Sequence, residues 1–165
     1  PGQMTQDRAP ARPDRRHALA VLGALAWAAR DARAAQRTLP VSSALPQELA
    51  AALAQHQPLV VMVSLHGCPF CAVVRNNYLA PMHEREGLPV VQVNMLDPRA
   101  TVALSGEPTT HEALVRAWGI AIAPTVLFFG QGGQEVAPRL AGGPNDFYSA
   151  MLDTRLEKAR EAISK

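Results

Sequence analysis

Cys68 and Cys71 are the only cysteines in the chain, and only Pro69 and Phe70 separate them. A disulfide between residues three apart closes so small a loop that it constrains the unfolded chain little, which makes a purely structural bridge a poor explanation. Reversible thiol–disulfide exchange explains the spacing better. On a helix, residues three apart share a face, so Cys71 can attack a mixed disulfide formed at Cys68. That order makes Cys68 the nucleophile and Cys71 the resolving thiol. His66 lies two residues upstream and is a candidate modulator of the Cys68 thiolate, as a cation beside it. A second chemistry is open to the same residues: His66, Cys68 and Cys71 are soft donors that could chelate Cu(I) or Zn(II) in a metal-binding protein.

The flanking sequence must position these groups. Leu59-Val60-Val61-Met62-Val63-Ser64-Leu65 is a continuous β-branched and apolar run, the pattern of a strand buried on both faces. His66-Gly67 breaks it, and Pro69 suits the first turn of a helix whose buried side is supplied by Val73, Val74, Tyr78 and Leu79. Cys68 therefore falls at a strand-to-helix junction, where free backbone N–H groups and the helix dipole favour the thiolate. Such settings bring a cysteine pKa from about 8.5 down to roughly 3.5–7.5. Pro81 limits or kinks that helix.

Upstream, Pro46 to Gln55 predicts a helix with Leu45, Leu49, Ala52 and Leu53 at helical spacing. Downstream come a strand at 90–95, a loop from Asp97 to Thr109, and a helix from Thr110 to Trp118 stopped by Gly119. Thr125 to Phe129 predicts a further strand that forms a hairpin with Glu135 to Leu140 across a Gly-rich turn. A long final helix is predicted from about Asn145, with Phe147, Met151, Leu152, Leu156 and Ala159 on its buried side. The order βαβ, α, ββα implies an α/β fold, a central mixed sheet covered by helices on both faces. Trp118 is expected in the core near the cysteines, and Gly142-Gly143 at a turn near the substrate groove. His56, His83 and His111 read as surface residues, and Glu84, Arg85 and Glu86 as a solvated helix end.

Cys68-Pro69-Phe70-Cys71 after a buried strand, together with Trp118-Gly119-Ile120-Ala121-Ile122-Ala123-Pro124-Thr125 before the next, resembles the thioredoxin superfamily over roughly Pro46 to Ser164. The resemblance implies a thioredoxin fold with a central mixed four-stranded sheet flanked by helices on both faces. It implies a thiol–disulfide oxidoreductase without cofactor or metal. It also implies a cis Pro124 against the cysteines, with the Ala123 backbone pairing with a substrate chain as an added strand. Pro69, Phe70, Ala123 and Pro124 are then the expected substrate-binding residues. The chain looks most like the periplasmic thioredoxin-like interchange proteins, and more like a reductase than an oxidase. Thioredoxin itself has a buried aspartate six residues before its first cysteine. Met62 stands there instead, so proton transfer at Cys71 must use water or another group. The stretch between Cys71 and Pro124 is too short for the helical insertion of the DsbA-type oxidases. Cys-Pro-Phe-Cys also resembles the Cys-Pro-Tyr-Cys of glutaredoxins, an activity at odds with export.

Export is expected from the N-terminus. Arg8, Arg12, Arg15 and Arg16 precede a nearly uncharged stretch from His17 to Ala29, and Ala32-Arg33-Ala34 supplies a small-x-small cleavage pattern. That is the order of a secretory signal, and the apolar run is short for a membrane span. Met4 is the candidate natural start. Arg15-Arg16 leaves the Sec and twin-arginine routes both open. The expected organisation is a signal peptide at 1–34 cleaved near Ala34, a linker at 35–45 and a thioredoxin-like domain at 46–165, with a periplasmic location. Of the 16 basic and 14 acidic residues, six and three lie in the first 34, so the remainder is near neutral. No basic stripe with interleaved aromatics argues for nucleic acid. The expected partners are envelope protein thiols and disulfides and a membrane redox partner, and the expected state is a monomer.

Overall fold

The computed structural model describes residues 37–164, so the expected signal peptide and its cleavage site lie outside the described residues. The elements in order are α1 (Leu45–Ala54), β1 (Leu59–Ser64), α2 (Pro69–Val74), a π-helical turn (Arg75–Leu79), α3 (Ala80–Glu86), β2 (Val90–Asn94), β3 (Ala100–Val102), β4 (Pro108–Thr110), α4 (His111–Ala117), β5 (Thr125–Phe129), a 3₁₀ turn (Gln131–Gly133), β6 (Leu140–Ala141) and α5 (Tyr148–Ile163). Among the described residues no helix is long and apolar enough to cross a membrane.

Four strands form one mixed sheet in the order β2-β1-β5-β6. β1 runs parallel to β2, with Val60 opposite Val90, and antiparallel to β5, with Met62 opposite Val126. The uninterrupted apolar run of β1 follows from this central position, since all six of its residues are buried. Its side chains alternate between two cores. Val60 and Met62 join Val126, Phe128, Leu152 and Leu156 on one face. Leu59, Val61 and Val63 join Leu45, Leu49, Leu114 and Phe129 on the other. Each such side chain contributes about 1.5–3 kcal/mol when fully buried, so β1 anchors both layers.

Local signals place the helices. Ala44 offers α1 no side-chain cap, but the Glu48 carboxylate reaches back to the amides of Ser43 and Ala44, at 2.8 and 3.2 Å, and accepts from Ser42 Oγ at 2.7 Å. Thr110 Oγ1 accepts from Ala113 N at 3.3 Å and caps α4. Pro81 does not end the helix that begins at Pro69. Lacking an N–H, it cannot bond back to Asn77, and the chain widens into the π-helical turn, where Ala80 N–H donates to Arg75 O. Val73, expected on the buried side, is exposed, whereas Val74 and Leu79 are buried.

Four further expectations are corrected. The stretch Asp97–Thr109 carries a hairpin, β3 against β4, with Thr101 opposite Thr109. The partner of β5 is reduced to Leu140–Ala141 plus a bridge from Phe129 to Glu135, because Pro138 cannot donate to the ladder. The last helix starts at Tyr148, which is buried, and Phe147 before it is 73 % exposed. His111 is fully buried, not a surface residue. Part of the stretch expected as a linker also packs on the domain. Leu39 is buried, and Pro40 to Ser42 runs along β2, with Ser42 N donating to Gln92 O at 2.9 Å and Gln92 N to Pro40 O at 2.7 Å.

Candidate active site

The end of β1 and the start of α2 hold the cysteines. Gly67, at φ +72°, turns the chain in the left-handed region that glycine adopts without strain. Cys68 follows in extended conformation as the N-cap of α2, and Pro69 occupies the first turn, where no amide donor is missed. Cys68 and Cys71 are joined as a disulfide with their Cα atoms 5.2 Å apart. Cys71 N–H donates to Cys68 Sγ at 3.1 Å. A thiolate at Cys68 would keep that donor and gain the positive end of the helix, which favours its release as a leaving group or its attack as a nucleophile. Cys71 is fully buried while Cys68 is half-buried, so only Cys68 offers its sulfur to a partner.

The loop before β5 closes over this pair. The Ala123–Pro124 peptide bond is cis. Cys68 Sγ lies 3.9 Å from the carbonyl oxygen of Ala123. Thr125 Oγ1 donates to Ile122 O at 2.7 Å, and Gly142 N–H donates to Pro124 O at 2.8 Å, fixing the loop from both sides. Phe70 is 60 % exposed and Ile122 is also exposed, so apolar surface flanks the disulfide. Gly142-Gly143 belongs to this neighbourhood, because Gly143 packs directly on the Phe70 ring.

The residues read from the sequence therefore gather as follows. Cys68, Cys71, Ala123 and Pro124 meet around the disulfide. Pro69 and Phe70 are exposed beside it, and His66 is exposed on the adjoining turn. Trp118 is not near the cysteines: its ring pairs with Phe129 at 5.6 Å between centroids, at the far end of β5 from Thr125. Among the described residues no three His, Cys, Asp or Glu side chains converge as a metal site.

Sequence reasoning missed a polar wall beside Cys68. Arg75 Nε donates to Gln92 Oε1 at 3.0 Å and its Nη2 to Ser64 Oγ at 3.3 Å, while Gln92 Nε2 donates to Asn94 Oδ1 at 2.6 Å. The available signal was Gln92 and Asn94 at alternate positions of an otherwise apolar strand. Nearby, the backbone N–H of Arg99 holds the Asp97 carboxyl below the usual carboxylate range, with the Arg99 guanidinium adding to the effect.

The domain model that matches this chain is the thioredoxin-like domain, over residues 45–156. The chain belongs to the thioredoxin-like family. Its cysteine pair at the strand-to-helix junction is the site of a thiol–disulfide oxidoreductase. Similar solved structures include the oxidoreductase DsbH, at 14% identity and TM-score 0.51, covering 74% of this chain and 92% of that one. The periplasmic thioredoxin SoxS from Paracoccus pantotrophus is 25% identical, with TM-score 0.41, covering 62% of this chain and 99% of that one. A thioredoxin from Thermus thermophilus is 22% identical, with TM-score 0.47, covering 73% and 87%. No curated protein is significantly similar in sequence.

Proposed function

We propose that this member of the family is exported to the bacterial periplasm, where it exchanges disulfides with envelope proteins through Cys68 and Cys71, mainly as a reductase recharged by a membrane redox partner. The observation that carries this reading is the asymmetric disulfide: Cys68 half-buried under Ala123, Cys71 fully buried behind it. In the reducing direction the Cys68 thiolate attacks a substrate disulfide, and one substrate sulfur leaves with a proton. Cys71 then attacks Cys68 Sγ, releasing the second substrate thiol and closing the Cys68–Cys71 bond. The substrate segment lies across Ala123 and Pro124, pairing with the Ala123 backbone, while Pro69 and Phe70 supply apolar contact.

Export is supported by the basic, apolar and small-residue order of residues 8–34. The reducing direction is supported by the neutral pair Pro69-Phe70, which brings no cation between the cysteines to hold the thiolate. Each ~1.4 kcal/mol of extra stabilisation of the reduced form would move the couple about 30 mV toward an oxidant.

The deciding experiment is a titration of the Cys68/Cys71 couple against dithiothreitol or glutathione buffers, together with trapping by Cys71→Ala. The expected potential is near the thioredoxin end of the scale, about −270 mV, and Cys71→Ala should hold substrates as mixed disulfides at Cys68. A potential near about −120 mV would make the protein an oxidant, and the absence of any reversible couple would end the redox reading.

A further inference from the structure

Cys68 lines a second feature in which Ala123 and Pro124 take no part. A cleft of about 840 Å3 opens between the end of β1, the start of α2 and the loop after β2, with Cys68 and Pro69 on one wall and Arg75, Gln92 and Asn94 among its other lining residues. Its volume is enough for a short segment of chain with its side chains.

Arg75 enters this cleft half-buried and, among the described residues, without a counter-ion. Its guanidinium is held by two neutral acceptors, Gln92 Oε1 and Ser64 Oγ. The ion pairs among the described residues are Arg37–Glu84, Arg99–Asp97 and Arg139–Glu135, and none includes Arg75. A guanidinium has five N–H donors, so both on Nη1 and one on Nη2 remain for a ligand. Asp97, the one carboxylate on the cleft wall, is already engaged by the Arg99 backbone at 2.9 Å and by its guanidinium at 3.8 Å. The π-helical turn begins at Arg75 and holds its side chain over the polar ends of β1 and β2.

A cation fixed by neutral partners in a recess is prepared for an anion, and arginine is suited to a carboxylate because two N–H groups can meet both of its oxygens. The same recess has Cys68 on its wall, so an occupant lies beside the reacting residue and is placed to be part of the molecule undergoing exchange. We infer that the cleft receives an Asp or Glu side chain from the segment flanking the substrate's reacting cysteine, and that Arg75 is the residue that selects it. This inference rests on the oxidoreductase reading of Cys68 and Cys71 and names a substrate class for it: protein disulfides with an acidic neighbour. The exchange is the one already written. Two electrons pass from the Cys68/Cys71 dithiol to the substrate disulfide, and both thiol protons end on the substrate thiols.

The test uses the reduced full chain and symmetrical disulfides of short peptides that differ only in having Asp, Asn or Lys next to the cysteine. Each rate is divided by that of the same peptide with dithiothreitol, which removes the neighbour's effect on the sulfur itself. The Asp peptide is expected to react about fivefold faster than the Asn peptide, the yield of a charge-assisted contact discounted for a half-exposed site, with the Lys peptide slowest. Arg75→Gln should erase the preference and Arg75→Lys should restore part of it. Arg85→Gln, at the exposed end of α3, changes net charge equally and should leave the preference intact. One normalised rate for all three peptides, or a preference that survives Arg75→Gln, would overturn the inference and leave the oxidoreductase reading standing. Failure to reduce any of them would remove that reading itself. A final arm compares 3,3′-dithiodipropionate with bis(2-hydroxyethyl) disulfide. An Arg75-dependent preference for the dicarboxylate without discrimination among peptides would assign the cleft to small anionic thiols and overturn the protein assignment.

Discussion

Gly143 lies against the ring of Phe70 so closely that a Cβ built on the glycine would come within 2.9 Å of both Cγ and Cδ1. The contact joins the two sides of the groove, the start of α2 and the turn after β6. Cγ is near the base of the side chain and Phe70 Cβ would lie at 3.2 Å, so the ring must change rotamer and the two backbones must also part slightly.

Gly143→Ala should therefore displace Phe70 with little effect on folding. The ring is largely exposed and free to turn, which limits the cost to about 1 kcal/mol. Reduction of a protein disulfide such as that of insulin should slow several-fold, while reaction of the Cys68–Cys71 disulfide with dithiothreitol should stay within about twofold, because only the former needs the apolar rim. Equal slowing of both reactions would mean that the substitution disturbs the disulfide itself.

Tyr148 begins α5 buried in the core, its ring 5.0 Å from that of Tyr78, and among the described residues its hydroxyl has no hydrogen-bond partner. Burial, with the neighbouring Tyr78 adding to it, pushes its ionisation well above the ordinary phenol range. The folded state thus holds the proton more tightly than the unfolded one. Stability from this group is complete below the unfolded pKa of about 10 and declines as pH rises above it. Tyr148→Phe removes an unpaired buried hydroxyl and should gain up to about 1 kcal/mol at neutral pH. It should also flatten the alkaline fall in urea midpoint between about pH 10 and pH 11. A variant less stable than the parent at both pH values would show that the hydroxyl is bonded after all.

Met62 is fully buried and shares its core with Cys71. Met62→Leu should change stability by less than about 1.5 kcal/mol. Met62→Asp places a carboxyl where no polar partner waits, and its folded pKa will rise above the unfolded value of about 3.9. Relative to Met62→Asn, its penalty should therefore be absent below about pH 3.9 and should grow as pH rises through that value. Urea titrations of the two variants across that range measure the difference. A constant gap at every pH would indicate that water reaches Met62.

The cysteine junction was legible because its determinants are local. A fully buried strand reads as an unbroken apolar run, and Gly67 and Pro69 mark the turn and helix start within three residues of each other. Helix α5 was legible in its body but not at its start. Asn145 Oδ1 accepts from Phe147 N at 3.0 Å, a local turn that delays the helix and leaves Phe147 outside the periodic face. Strands β3 and β4 have three residues each and no continuous apolar face, so nothing in their periodicity distinguishes them from a loop. The cleft was illegible for a different reason. Ser64, Arg75 and Gln92 come from three elements, and each alone is an ordinary polar residue. Only the parallel pairing of β1 with β2 brings them together.

His111 was the clearest misreading, and it supplies the sharpest test of how the chain before α1 is held. Asn94 N–H can only donate, so Nδ1 of the ring accepts from it at 3.1 Å. Nε2 must then carry the proton and donate to Ser42 O at 2.8 Å. The ring bridges the edge strand β2 to the segment that lies along it. His111→Ala leaves both backbone groups without partners and opens a cavity, at a cost of about 3 kcal/mol in urea unfolding. Because the Ser42 contact is lost, the pairing of Pro40 to Ser42 with Gln92 should open first. The Ser42 and Gln92 amides, which donate across that pairing, should lose their protection and exchange through local opening, while the amides of β1 accelerate only by as much as the global stability falls. Uniform acceleration across the sheet would show that His111 supports the fold as a whole and does not selectively pin this segment.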